Sequence, residues 1–290
     1  MSYEFDRFIF AFFVGCCLHI SGSVLQLVSR NHLAAPSTLG FAAPGILLTL
    51  FFYFFFPSLM IAQWLWPLLL FFLIFCWLVI HWKVGFPIAN RYRSLFQNFI
   101  LIGLAVNLLL ASLIALLEFI LQNQGERLPM QLWFGSIKVI HASQYYTFVF
   151  PSVVLLYFAF LFSQKLKFLF AGSDFALGLG VNLRALELQA LLLSLVASTL
   201  VIIHYGIFAF MGLITPVLIR QIPFFAHNAG RELMLGAMMV GGFLAVVDYL
   251  CYEHPIAGAE IPVGLISAIL GPIVLIVAQL KTIEKTKEGF

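Results

Sequence analysis

The chain has 290 residues, of which 63% are hydrophobic and only 9% are charged. A water-soluble domain contains roughly 45–50% apolar residues and could not hide so much apolar surface, so a soluble enzyme is excluded. The net charge of +3 comes from residues scattered between long apolar runs, which argues against nucleic-acid binding. The composition predicts an all-α polytopic membrane protein.

The long apolar runs predict the membrane-spanning helices, because a helix needs about 20 apolar residues to cross a bilayer. The run 43–80 has no charged residue and is nearly two membrane thicknesses long. We expect it to break at Pro57 into two helices, 43–56 and 59–80. The other predicted spans, in chain order, are 8–28, 96–121, 147–163, 188–205, 232–252 and 261–280.

The segment 206–219 is short for a crossing, and Gly206, Gly212 and Pro216 predict a break between it and the preceding helix. If this segment crosses, the N-terminus is outside, and of the 15 Lys and Arg residues 12 are cytoplasmic and 3 are outside. If it does not cross, the division is 7 to 8. Because cytoplasmic loops carry an excess of Lys and Arg, we expect about nine transmembrane helices.

Polar residues inside the predicted spans offer little chemistry. The sequence has no P-loop, HExxH or GxSxG motif, so this chain is not expected to hydrolyse ATP or to act as an enzyme, and no metal or cofactor is expected. Only His19 and His204 lie well inside spans, which disfavours haem ligation across the bundle. Glu118 and Asp248 lie about one turn from the outer ends of their helices, where a structural role is favoured.

The longest cytoplasmic loop in this topology, 164–187, is unusually apolar for a solvated loop. Its glycines permit tight turns and close approach of backbones. Its aspartate is a candidate cap for a short helix. Composition alone favours equally a segment on the membrane surface and a short helix that packs against a partner. The residues concerned are Gly172, Asp174, Gly178 and Gly180.

The stretch 22–40, GSVLQLVSRNHLAAPSTLG, resembles the signature of the ABC-importer permeases for ferric siderophores, haem and cobalamin. His32 stands where that family usually has proline. Further segments resemble the family in the same order, and several spaced motifs are more specific than one. They are GLAVN (103–107), WFGS (133–136), GSDFALGLGVN (172–182), MGLITPVLIR (211–220) and AEIPVGLISAILGP (259–272). The matching signature residues are Gln26, Arg30, Asn31, Leu33, Ala34, Pro36, Leu39 and Gly40.

The resemblance implies a single permease domain over 1–290, in a family of ten helices whose first helix has no counterpart here. It implies an ATP-driven importer of the bacterial inner membrane, carrying a ferric siderophore in the commonest case. Cobalamin, haem and molybdate remain alternatives. The implied partners are a second permease subunit, two cytoplasmic ATPase subunits and a periplasmic or lipid-anchored binding protein.

The resemblance also assigns residues to roles. The loop 164–187 corresponds to the family's ATPase-coupling helices, through Gly172, Asp174, Gly178, Gly180 and Arg184. The translocation pathway would include Gln26, Asn31, Asn107 and Pro216. Arg7 matches one of the paired arginines that dock the binding protein, whereas Glu4 replaces its companion and Tyr252 lies near another family arginine.

Two alternatives from other classes stay open. An ion-driven secondary transporter should carry a buried acidic or histidine relay near the midplane, and the sequence shows none. A degenerate, non-transporting paralogue is suggested by the absent first helix and the replaced arginines.

The division of basic residues predicts that the N-terminus is outside and the C-terminus is cytoplasmic. Reporter domains that are active on only one side of the membrane, fused to each end, measure this directly. A periplasmic reporter should be active at the N-terminus and a cytoplasmic reporter at the C-terminus. A cytoplasmic signal from both ends would contradict the nine-span topology.

Overall fold

The computed structural model describes residues 2–29, 31–36, 46–47, 95–123, 133–138, 142–170, 183–226, 228–256 and 258–288. Within these ranges the chain is helical, apart from short turns, the extended segment 133–138 and an isolated bridge between Ile256 and Ala259. The helices are α1 (Ser2–Ser29), α2 (Leu95–Asn123), α3 (Phe150–Phe170), α4 (Leu183–Tyr205), α5 (Met211–Gln221), α6 (Pro223–Ala226), α7 (Ala229–Glu253) and α8 (Val263–Glu288). A π-helical turn, Tyr145–Val149, leads into α3.

The predicted all-α membrane fold is confirmed. Five described helices are long and apolar enough to span a membrane, and Val263–Val277 is a shorter apolar helix. The helices extend beyond the apolar runs that predict them: 188–205 lies within Leu183–Tyr205, and 8–28 within Ser2–Ser29. Helices continue past the bilayer surface in polar residues, which a search for apolar runs leaves out. The predicted helices 43–56 and 59–80 fall almost entirely outside the described residues, so the count of nine stays a prediction.

Helix α1 lies at the centre of the described bundle and packs against α7, α4 and α5. Small residues allow the backbones to approach closely. A β-carbon on Gly15 would lie 2.8 Å from the Cα of Gly241, and one on Gly22 would overlap the carbonyl oxygen of Gly212. Gly241, in the glycine-rich run 236–242, therefore serves the close packing of α7 on α1.

The predicted break after 188–205 is confirmed. Helix α4 ends at Tyr205, Gly206 has φ +82°, and Phe210 has φ +62° before α5 begins. Positive φ is natural for glycine and unusual for phenylalanine. Gly212 and Pro216 do not break the chain, because they lie inside α5.

The irregular stretch between α4 and α5 takes its hydrogen bonds from the extended segment 133–138. Gly135 N–H donates to Ile207 O (2.7 Å), Ser136 N–H donates to Tyr205 O (3.0 Å), and Gly264 N–H donates in turn to Gly135 O (2.8 Å). Non-helical backbone is tolerated at membrane depth only where protein or a water-filled cavity surrounds it. The eleven residues of α5 extend only about 16 Å, which is shorter than the thickness of a membrane. If 206–219 crosses the membrane, the stretch between α4 and α5 must supply the remaining length.

Candidate functional site

Polar side chains from four segments meet at the end of the bundle that the predicted topology places in the cytoplasm. We call them the inner cluster. The central contact is an ion pair in which Arg220 Nη2 lies 2.8 Å from Glu232 Oε1. The Glu232 side chain is 2% exposed, so its charge requires this partner. The inner cluster comprises Ser23 and Gln26 of α1, His32 of the turn 31–36, Arg220 of α5 and Glu232 of α7.

The remaining members add hydrogen bonds to both charges of the ion pair. Ser23 Oγ donates to Glu232 Oε1 (2.7 Å), and Arg220 Nη1 donates to Gln26 Oε1 (2.9 Å). The Gln26 amide donates in turn to Leu213 O (2.9 Å). The planar guanidinium offers several N–H groups in fixed directions, which a lysine ammonium could not reproduce.

Local sequence explains why the two charges stand where they do. Arg220 lies in the last turn of α5 and Glu232 in the first turn of α7, and the helix dipole stabilises each charge at its position. Asn228 caps α7, its side chain accepting a hydrogen bond from Arg231 N–H (3.1 Å).

The turn after α1 brings His32 to the inner cluster. Asn31 Oδ1 accepts the Leu33 N–H (2.9 Å) and Asn31 O accepts the Ala34 N–H (3.0 Å), a turn typical of asparagine. His32 Nδ1 then lies 3.3 Å from Arg220 Nη1. A guanidinium cannot accept a hydrogen bond, so Nδ1 is the acceptor and the imidazole is neutral.

Of the four predicted pathway residues, one belongs to the inner cluster and the other three lie outside it. Gln26 is a member, Asn31 shapes the adjoining turn, and Pro216 is buried one helical turn before Arg220 in α5. Asn107 lies on α2, which contributes no residue to the inner cluster.

The predicted ATPase-coupling residues Gly172, Asp174, Gly178 and Gly180 lie outside the described residues. Arg184 lies in the first turn of α4. Because α3 continues to Phe170 and α4 begins at Leu183, both ends of the predicted loop 164–187 are helical. The coupling role of these residues stays a prediction.

Charged side chains also meet at the opposite end of α1, in what we call the outer cluster: Arg7, Asp248, Glu260 and Tyr252. Arg7 Nε donates to Asp248 Oδ2 (2.6 Å) and Nη2 donates to Oδ1 (3.1 Å), a bidentate pair. Arg7 Nη1 donates to Glu260 Oε2 (3.1 Å), and the guanidinium lies 4.7 Å from the centre of the Tyr252 ring.

This geometry confirms the structural role expected for Asp248. It also gives Arg7 an internal role that the sequence analysis did not identify, because Arg7 is only 3% exposed and its charge is already paired. Its role in docking stays a prediction. The signal available in the sequence was a pair of opposite charges, Arg7 and Asp248, both near the outer ends of their predicted helices. Glu260 and the inner-cluster residues Ser23, Arg220 and Glu232 were missed.

Neither cluster resembles a catalytic centre. Each joins helices through charge-assisted hydrogen bonds, and each sits at one mouth of the bundle. Such clusters fix the relative positions of helices and form polar surface at the ends of a membrane bundle. The arrangement is that of a helical membrane protein whose helices are held together at both ends.

The comparisons with known proteins agree. Residues 1–281 match the FecCD transport family, and the chain therefore belongs to that family, whose members are transport permeases and not enzymes. The resemblance found in the sequence motifs is thus confirmed. A solved structure described as an inward-facing conformation of a metal-chelate type ABC transporter shares the fold, with a TM-score of 0.75 at 24% identity. The match covers 95% of this chain and 85% of that one.

Relatives of known function are similar along most of their length. The hemin transport system permease protein of Yersinia pestis is 30% identical over 283 residues, which is 93% of this chain and 80% of that protein. The iron(3+)-hydroxamate import system permease protein of Bacillus subtilis (strain 168) is 28% identical over 287 residues, with the same two shares. The ferric enterobactin transport system permease protein of Escherichia coli (strain K12) is 25% identical over 295 residues, 98% of this chain and 83% of that protein.

Proteins of this family are multi-pass proteins of the bacterial inner membrane, and the apolar helices described above agree with that location. This chain is a multi-pass inner-membrane permease.

The contact between His32 and Arg220 predicts that the stability of the folded protein depends on pH. Burial and the neighbouring Arg220 guanidinium lower the pKa of His32 below its usual 6.5. The pKa of His32 is therefore lower in the folded chain than in the unfolded chain. The stability that neutral His32 contributes is fully present above about pH 6.5, and it is lost as the pH falls through the folded-state pKa. Protonation would place the imidazolium against the Arg220 cation.

Below pH 6.5 we expect the melting temperature of the wild-type protein to fall more steeply than the melting temperature of the His32→Gln variant. Glutamine keeps a hydrogen-bond acceptor, but its side chain does not take up a proton in this pH range. For so exposed a contact the difference should be about 1–3 °C. His254→Gln, an exposed histidine outside the inner cluster, is the control and should follow the wild type. Parallel curves for wild type and His32→Gln would show that His32 does not accept from Arg220.

Proposed function

We propose that this chain is the permease subunit of an ATP-driven importer that moves an iron chelate, a ferric siderophore in particular, across the inner membrane. The names of the relatives include hemin, iron(3+)-hydroxamate and ferric enterobactin, all of them iron held in an organic chelator. A permease for such a substrate needs no iron ligands of its own, because the chelator holds the metal.

One observation in this chain supports the proposal above all: the segments that resemble the importer family contact one another in space. Gln26 of 22–40 accepts a hydrogen bond from Arg220 of 211–220 (2.9 Å). Gly135 of 133–136 accepts one from Gly264 of 259–272 (2.8 Å). Segments up to 194 residues apart therefore work as parts of one structure.

The energy for import would come from separate ATPase subunits, since this sequence contains no P-loop. They would bind the segment between α3 and α4, which includes the predicted coupling residues. Their closure would push on these two helices and open the pathway to one side and then to the other. Gln26, Asn31, Asn107 and Pro216 are the proposed pathway residues. The movement of α4 would reach α1, to which Ser21 and Ser194 join it, and the inner cluster would carry it from α1 to α5 and α7.

A binding protein would deliver the chelate at the outer end, where the outer cluster lies. Arg7 is buried beneath this surface, so its proposed part in docking is to hold Glu260 and Tyr252 in position. Glu260 is one-third exposed and can meet a partner directly.

The test of this function is ATP-dependent uptake by the reconstituted complex. The permease, its ATPase and its binding protein in proteoliposomes should accumulate radioactive iron supplied as a ferric hydroxamate, and only with ATP. Hemin supplied in its place distinguishes the two substrate classes. Absence of ATP-dependent uptake of either chelate, with all subunits present, would contradict the proposal.

The coupling segment gives a sharper prediction within the same system. Gly180→Trp should leave the permease inserted but remove the ATPase from pull-downs and reduce uptake at least tenfold, because a bulky side chain prevents close backbone approach. Gly242→Trp is the matched control, since a β-carbon at Gly242 meets nothing within 4 Å. If Gly180→Trp retains the ATPase and normal coupled hydrolysis, the segment is not the coupling element.

A further inference from the structure

A long apolar groove runs between α3 and α4, and no residue of the inner or outer cluster lines it. Its volume is about 740 Å³, within the range of roughly 300–1,000 Å³ found for ligand pockets. It extends along α3 from Phe150 to Lys165, a length of about 22 Å at 1.5 Å per residue. Its apolar lining includes Val154, Phe158 and Leu161 of α3 and Leu192, Leu193 and Val196 of α4.

One end of the groove is polar and basic. Lys165 Nζ donates to Gln189 Oε1 (2.9 Å), and both residues are exposed. An ammonium group has three N–H donors, of which the Gln189 contact uses one. Lys165 is among the residues that the division of basic charges places at the cytoplasmic surface. The groove is thus apolar along its length and ends at a cation, Lys165, at the level of the inner-leaflet headgroups.

We propose that this groove binds an anionic phospholipid of the cytoplasmic leaflet, with an acyl chain along α3 and α4 and its phosphate on Lys165. Basic pockets between transmembrane helices on the cytoplasmic side bind anionic headgroups in this way. Charge complementarity selects this occupant, because a phosphate supplies an anion for Lys165 and a neutral apolar helix does not. The lipid proposal does not rest on the proposed transport activity, although Lys165 lies within 164–187, the loop that the resemblance assigns to ATPase coupling.

Native mass spectrometry of the full-length protein in detergent measures the binding. The protein is titrated with dioleoylphosphatidylglycerol or dioleoylphosphatidylcholine, which have the same acyl chains and differ in headgroup charge. A single lysine contact at the membrane surface predicts about fivefold tighter binding of the phosphatidylglycerol. Equal affinities for the two lipids would overturn the proposal.

Substitutions locate the headgroup. Lys165→Ala should abolish the preference for phosphatidylglycerol, and Lys165→Arg should keep it. Lys138→Ala is the matched control, because Lys138 is an exposed lysine that does not line the groove, and it should bind both lipids as the wild type does. The assignment of the headgroup to Lys165 would be refuted if Lys165→Ala kept the preference for phosphatidylglycerol. It would also be refuted if Lys138→Ala removed that preference to the same extent.

A further substitution locates the acyl chain. Leu193→Trp narrows the groove and should weaken binding of both lipids at least threefold, whereas Leu235→Trp, on the exposed face of α7, should not. Unchanged lipid binding by a monodisperse Leu193→Trp protein would contradict the placement. If Leu193→Trp instead dissociates a dimer and leaves lipid binding intact, the groove is a contact between two copies of this chain and the lipid proposal fails.

Discussion

The structure depends on the contact between α1 and α7, and an ion pair stabilises each end of this contact. Along its length, Gly15 and Gly241 let the two backbones meet. At the outer end Arg7 of α1 pairs with Asp248 of α7, and at the inner end Glu232 of α7 pairs with Arg220 and accepts from Ser23 of α1. An uncompensated charge is costly in a membrane bundle, so these groups hold the helices in one register.

The other described elements are arranged around this pair. Ser21 of α1 donates to Ser194 O of α4 (2.8 Å), and Gly22 leaves room for the backbone of α5. The stretch between α4 and α5 is not helical, but the segment 133–138 supplies its hydrogen bonds. In this stretch the protein itself provides hydrogen-bond partners for the irregular backbone.

The sequence predicted the elements better than the contacts between them. Apolar runs identify helices because a membrane demands about 20 apolar residues, and the glycine at 206 identifies the end of α4 because it can adopt positive φ. The ion pairs could not be found in the same way. Arg7 and Asp248 are 241 residues apart, and only the packing of α1 on α7 brings them together. The resemblance to the family assigns Arg7 to docking, and it carries no information about the buried pair that Arg7 forms with Asp248.

The central claim is that Arg7 and Asp248 hold α1 to α7, and a double-mutant cycle tests it most directly. The free energy of unfolding is measured by denaturant titration in mixed micelles for Arg7→Gln, Asp248→Asn and the double variant, with Glu4→Gln as an exposed control on the same turn of α1. We expect each single change at the pair to cost about 3–5 kcal/mol, because it leaves a buried charge unpaired. The double variant should recover at least about 1–2 kcal/mol of the summed loss. Additive losses, or single losses no larger than that of Glu4→Gln, would contradict the account.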